Sequence, residues 1–157
     1  MILLCYDGSD AARAAIEQAG KLLSGQPVAV LTVWEPFVEV LADSSFFGPT
    51  VGMVNVEDDS ANRTAAETQA EEGAELARHA GLDARPHTRA QVTNTVDAIL
   101  EEASEVDATA IVVGSRGHTG VKSLLLGSVS QGLIHHADRT VIVVPSAEVA
   151  TARASHG

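Results

Sequence analysis

Basic residues are scarce: 10 Lys and Arg stand against 21 Asp and Glu in 157 residues, a formal net charge of −11. So acidic a chain repels phosphodiester backbones and anionic headgroups, which argues against nucleic acid or an anionic membrane surface as its main partner. Cysteine is nearly missing. The single Cys5 cannot close an internal disulfide and suits a reducing compartment. Nowhere do apolar residues run uninterrupted for the ~18 positions that a membrane-spanning helix needs. Met1 is followed at once by Ile2-Leu3-Leu4-Cys5-Tyr6, without a basic stretch or a cleavage-like site. A leader peptide is therefore not expected, and the cytoplasm is the expected location. What remains, 45% apolar and 20% charged, is the composition of a folded domain long enough to bury one good core.

Short aliphatic runs alternate with amphipathic segments along the chain. Residues 2–6, Val28–Trp34, Ala110–Val113 and Thr140–Val144 read as strands, the last stopped by Pro145; Asp83–Arg89 is a poorer candidate. Ala12, Ala15, Ile16, Ala19, Leu22 and Leu23 recur at helical spacing, although Gly20 should weaken that helix by roughly 1 kcal/mol. A second helix is expected from about Asp59 to Ala80, closed by Gly81. A third carries Val96, Ile99, Leu100 and Ala103 on one face, with Thr93 or Asn94 as its cap. The fourth starts at Ser128, where Ser128-Val129-Ser130-Gln131 fits a capping box. Solidly aliphatic strands separated by helices predict a parallel sheet covered on both faces, a single three-layer α/β domain of Rossmann-like type. Residues 36–57 read as a long surface excursion, and residues 146–157 as a loose tail.

In such a sheet, ligands bind beyond the carboxyl ends of the strands, where the winding direction switches. Two segments qualify: Asp7-Gly8-Ser9-Asp10 after the first strand, and the stretch from Gly114 to Ser130 after the fourth. Gly114, Gly117, Gly120 and Gly127 let main-chain N–H groups come close to a guest. Ser128 then opens a helix whose first amides are unpaired and whose dipole favours an anion. Charge points to the same place. From Ala108 to Ala137 there is no Asp or Glu, where the chain average would put about four, while Arg116, Lys122, His118, His135 and His136 occur there. A bland cause exists too, since a buried strand and an apolar helix carry few acids anyway. Neither G-x-G-x-x-G nor the Walker pattern is present, so the cradle is of another kind.

Gly114-x2-Gly117-x9-Gly127-Ser128 at the end of an aliphatic strand resembles the nucleotide motif of the universal stress protein family. Asp7-Gly8-Ser9, Thr32-Val33-Trp34-Glu35-Pro36 and Val141–Pro145 are similar to other blocks of that family, and the likeness covers residues 1–145. The resemblance implies strand order 3-2-1-4-5, with Asp7 and Gly114 flanking one crevice. It implies binding of ATP or a related adenine nucleotide. Asp7 would lie beside adenine and ribose, Val33 at the base, and Val113 and Gly114 along base and sugar. Arg116 and Gly117 would approach the phosphates, and Gly127, Ser128, Val129 and Ser130 would hold them. Mg²⁺ would offset the triphosphate charge, hydrolysis would be slow or absent, and phosphate occupancy would order the 114–127 loop. The last strand, Thr140–Val144, would lie at the sheet edge and pair with its copy in a homodimer. Cys5 and Tyr6 stand where the family often has smaller residues, which should narrow the adenine side. Tyr6 is the one hint of a preference for AMP or cyclic AMP.

No catalytic constellation stands out, and no G-x-S-x-G elbow is present. His135 and His136 are adjacent on a helix and point about 100° apart, a poor arrangement for a metal. Cys5 reads as inert packing, and Trp34 as either a lid over the crevice or part of the core. The alternatives to a nucleotide-dependent regulator are a homodimeric interaction module with a vestigial pocket and a phosphate-transferring enzyme.

Overall fold

Leu3 and Leu4 are both sealed from solvent although neighbours on a strand point to opposite faces, so the central strands lie between two cores. The structure, a computed structural model, describes residues 1–36, 56–117 and 126–155. Five strands, β1 (Ile2–Cys5), β2 (Pro27–Trp34), β3 (Asp83–Ala90), β4 (Ala110–Gly114) and β5 (Thr140–Val144), form one parallel sheet in the order β3-β2-β1-β4-β5. Ile2 pairs with Val28 on one side and Ala110 on the other, so β1 and β4 are neighbours. The winding direction switches between them.

The described helices are α1 (Asp10–Leu22), α2 (Val56–His79), α3 (Thr95–Glu105), α4 (Ser128–His136) and α5 (Ala147–Ala154). One core joins Leu4, Tyr6, Val30 and Val112 to Ile16 of α1 and Ala74 of α2. The other joins Leu3, Leu31 and Ile111 to Ile99 of α3 and Leu133 of α4. The result is the three-layer α/β fold that the sequence predicts.

Local chemistry explains several boundaries. Ser9 Oγ accepts from Ala12 N at 3.2 Å and starts α1, and Asn94 Oδ1 accepts from Asp97 N at 2.9 Å and starts α3. Gly81 adopts φ +90° just past α2, the left-handed turn expected of a glycine there. Gly20 has a packing reason: a β-carbon on it would stand 2.5 Å from Ala80 O, so the glycine lets α1 approach the end of α2. β3 is an edge strand with Ala84 as its buried residue, which is why it lacks an aliphatic run. Buried Glu102 of α3 accepts from Arg89 Nε at 2.8 Å and lies 2.8 Å from His87 Nδ1, fastening α3 to that edge. Arg139 donates to Ala103 O and Ala108 O at 2.7 and 2.9 Å, tying the start of β5 to the end of α3.

Three expectations need correction. The capping box at Ser128 does not form. Gly127 is the N-cap of α4, because its N–H donates to Ser115 O at 2.7 Å and pins the chain one residue earlier. Residues 147–154 are helical, with Val149 buried, where the sequence suggests a loose tail. Among the described residues there are five helices instead of four. The excursion at 36–57 falls largely outside the described residues, as do His118, Lys122 and most of the loop between Gly117 and Gly127. Among the described residues, no helix is long and apolar enough to cross a membrane.

Candidate functional site

A cavity of about 420 Å³ opens at the carboxyl ends of β1 and β4. Asp7, Val33, Val113, Gly114, Arg116, Gly117, Gly127, Ser128, Val129 and Ser130, the ten residues singled out in the sequence, all border it. Five elements or turns contribute them, and the switch between β1 and β4 brings them together.

One end of the cavity is polar. Asp7 follows β1, and its Oδ1 accepts from Ser9 N at 3.0 Å. Gly117 comes so near the other carboxylate oxygen that a β-carbon on it would lie 2.9 Å from Asp7 Oδ2. Gly114 packs on α1, where a β-carbon would meet Ala11 C at 2.7 Å. Ser115 ties the end of β4 to the start of α4. Its N–H donates to Val144 O at 2.7 Å, and its carbonyl accepts from Gly127 N at 2.7 Å and from Ser130 Oγ at 3.1 Å. Ser130 Oγ also lies 3.0 Å from Gly127 O, so one hydroxyl proton serves two carbonyls.

The helix α4 begins here without a side-chain cap, unlike α1 and α3, which carry Ser9 and Asn94. Helix starts leave amides unpaired along the axis, with a partial positive charge. Space for a guest persists next to them, since a β-carbon on Gly127 would find nothing nearer than 3.4 Å. Such an arrangement can receive an anion.

The other end is apolar. Leu31, Val33, Ile99, Val113 and Val129 border the cavity and belong to the α3–α4 core or pack against it. Cys5 faces the same side, and burial, followed by the nearby Asp7 charge, pushes its thiol up to about 12. At neutral pH it is a protonated, apolar wall group, in keeping with inert packing. Tyr6 also borders the cavity, but its ring belongs to the opposite core. There a β-carbon on Gly73 would stand 2.6 Å from Tyr6 Cδ1, and the Tyr6 hydroxyl donates to Glu72 Oε1 at 2.8 Å. Cys5, not Tyr6, therefore narrows the apolar end, and Tyr6 gives no hint of a particular nucleotide.

Sequence reasoning missed Thr95, Ile99 and Leu126 as wall residues. Ile99 and Thr95 lie one turn apart on α3, a spacing visible in the sequence, but the side of the sheet that α3 covers is not. Trp34 is half-buried in a separate, shallower depression of about 410 Å³, with Ala65, Ala66 and Gln69 of α2. It is neither core nor a wall of the crevice. Gln69 Nε2 reaches from there to donate to Asp7 O at 2.8 Å. Among the described residues, no group of three or more His, Cys, Asp or Glu gathers to hold a metal.

The chain is similar to known proteins along most of its length. The profile described as the universal stress protein family matches residues 1–145. A universal stress protein of Thermus aquaticus, from the 3′ region of a QAH/OAS sulfhydrylase, is 32% identical over 145 residues, 91% of this chain and 96% of that protein. The universal stress protein of Archaeoglobus fulgidus is 27% identical with a TM-score of 0.62, covering 91% of each chain. A structure of the protein from that organism in complex with dAMP is 25% identical with a TM-score of 0.60, covering 91% of this chain and 95% of that one.

Proposed function

The chain belongs to the universal stress protein family, and on that premise we propose that it binds ATP, or a related adenine nucleotide, with Mg²⁺ in the cavity between β1 and β4. The observation that carries this reading is the juxtaposition of Gly117, Asp7 and the α4 start that no side chain caps, on one wall of a cavity whose other end is apolar. The amides of Ser128, Val129 and Ser130 suit phosphate oxygens, and Arg116 adds a cation on the same rim. Leu31, Val33, Ile99 and Val113 offer a flat purine an apolar seat. The dAMP complex of the A. fulgidus protein supports an adenine nucleotide as the guest.

Asp7 is the one carboxylate in the described lining, and Mg²⁺ bound through phosphates needs only one or two carboxylates beside its waters. Asp7 would hold that ion or a hydrated edge of it; the ion supplies charge neutralisation. Asp7 is also the only carboxylate base in that lining, and its Oδ1 is already engaged by Ser9 N. The proposal therefore assigns slow or no hydrolysis and a regulatory role through contacts with partners.

β5 ends the sheet, and its Val141, Ile142 and Val143 are half-buried. The proposal includes pairing of this strand with its copy in a homodimer.

Isothermal titration of the whole chain with ATP and Mg²⁺ tests the reading. Saturable one-site binding supports it. No heat and no displacement of a fluorescent adenine nucleotide at high protein concentration would instead favour an interaction module with a vestigial pocket.

A further inference from the structure

Resting on the nucleotide reading above, we propose that Thr95 is a specificity-determining residue, which offers the cavity hydrogen-bond acceptors and selects a purine with an amino group at C6 over one with a carbonyl there. Thr95 borders the cavity at the first residue of α3, one turn before Ile99 of the apolar wall. α3 also packs on α4, where a β-carbon on Gly132 would stand 2.7 Å from Val96 Cγ2, and Thr95 joins the cavity on the side of Ile99, Leu31 and Val33, the wall proposed above as the purine seat.

The direction of one hydrogen-bond chain fixes what Thr95 can offer. A threonine hydroxyl has a single proton, and here it is donated to Gln91 Oε1 at 2.9 Å. Gln91 presents its carbonyl oxygen to Thr95 because its amide nitrogen donates to Glu35 Oε1 at 2.9 Å. A carboxylate oxygen can only accept, so the amide cannot be turned around without setting oxygen against oxygen. Gln91 and Glu35 are each held at a main-chain group. Gln91 N donates to Trp34 O at 2.9 Å, and Asn62 Nδ2 donates to Glu35 O at 3.3 Å. The chain therefore runs from Thr95 through Gln91 to Glu35, and lone pairs are what Thr95 Oγ1 has left for a guest.

An exocyclic amine satisfies those lone pairs. A 6-oxo group meets them with no proton between, and a partly buried acceptor without a donor is unfavourable. The neighbouring Cys5, Leu31, Val33, Ile99 and Val113 bring no strong side-chain donor to rescue a carbonyl.

The test titrates the full chain with the magnesium complexes of ATP and inosine triphosphate, which differ at C6 and in the N1 proton that follows from it. Wild type should prefer ATP by about tenfold. Thr95→Val, which leaves the Asn94 cap in place, should lose about three- to tenfold on ATP and little on inosine triphosphate, and Thr95→Ser should restore the preference. Gln91→Ala frees the Thr95 proton, so inosine triphosphate should bind tighter while ATP changes by less than about twofold. A purely structural role would weaken both nucleotides together in every variant and overturn the assignment. If wild type binds both equally, the role of Thr95 falls while the nucleotide site stands; if it binds neither, both fall. Thermal melts identify a Thr95→Val protein that fails to fold, and the Gln91→Ala ratio then decides.

Discussion

A β-carbon on Gly117 would stand 2.9 Å from Asp7 Oδ2, across the switch between β4 and β1. That contact joins two turns 110 positions apart in the chain, and it is where a side chain would first obstruct a phosphate. Gly117→Val should therefore lower affinity for Mg²⁺–ATP by about tenfold or more, since the branched side chain fills the approach and pushes the Asp7 carboxylate aside. The obstructing atom is the end of a side chain, so the melting temperature should stay within a few degrees of wild type. Titration and a thermal melt of the same sample check both halves.

Ser130 holds the cradle from below. It is fully buried, and its hydroxyl lies 3.1 Å from Ser115 O and 3.0 Å from Gly127 O. Ser130→Ala should cost about 1–2 kcal/mol, because a buried hydrogen bond is lost and two carbonyls share the deficit. Urea unfolding measures it, and nucleotide affinity should fall as the α4 start loosens.

Glu102 provides the contrast of a buried charge without a part in the cavity. Its carboxylate meets Arg89 Nε and His87 Nδ1, each at 2.8 Å. Glu102→Ala should destabilise by about 2–3 kcal/mol, at or below the lower end for a broken buried pair, because Arg89 keeps Glu101 and Glu105. Nucleotide affinity of the folded protein should not change, which a titration at low temperature would establish.

Alkaline pH should destabilise the chain through two groups at the end of β1 that face opposite sides of the sheet. Burial, then the Asp7 charge, lifts the Cys5 thiol from 9.0 to about 12. Burial, then the hydrogen bond to Glu72, lifts the Tyr6 hydroxyl from 10.0 to about 12. In both cases the folded state favours the protonated form, so the unfolded chain releases its protons first. The contribution is complete below about pH 9 and is lost as pH rises from there towards 12. Unfolding free energies followed from about pH 8 to about pH 11 should decline, and Cys5→Ala with Tyr6→Phe should flatten the decline.

Much of this was legible in the chain because buried parallel strands and glycine-rich anion loops leave strong local traces. The aliphatic runs located β1, β2, β4 and β5, and the family resemblance carried by the glycine motif and its supporting blocks named ten residues that border a single cavity. What stayed hidden depends on tertiary choices. Tyr6 goes to the α1–α2 face and Cys5 to the cavity face, a parity that only the finished sheet defines. Thr95 is tied to Gln91 and through it to Glu35, which come from turns after two different strands. Ser128 fits a capping box locally, but Ser115 O takes the Gly127 amide, and Gly127 becomes the N-cap of a helix that does begin at Ser128. α5 carries too weak an amphipathic pattern, Val149 being its one described buried residue, to be read as a helix in advance.

Amide spectra of the ¹⁵N-labelled chain, recorded through a titration with Mg²⁺–ATP and again with Mg²⁺–AMP, probe the cradle most directly. The account predicts that Gly117, Gly127, Ser128, Val129 and Ser130 shift together along one saturation curve, and that AMP reproduces the changes around Val33 and Ile99 more fully than those at the α4 start. Saturable binding that leaves the Ser128–Ser130 amides unmoved would contradict it.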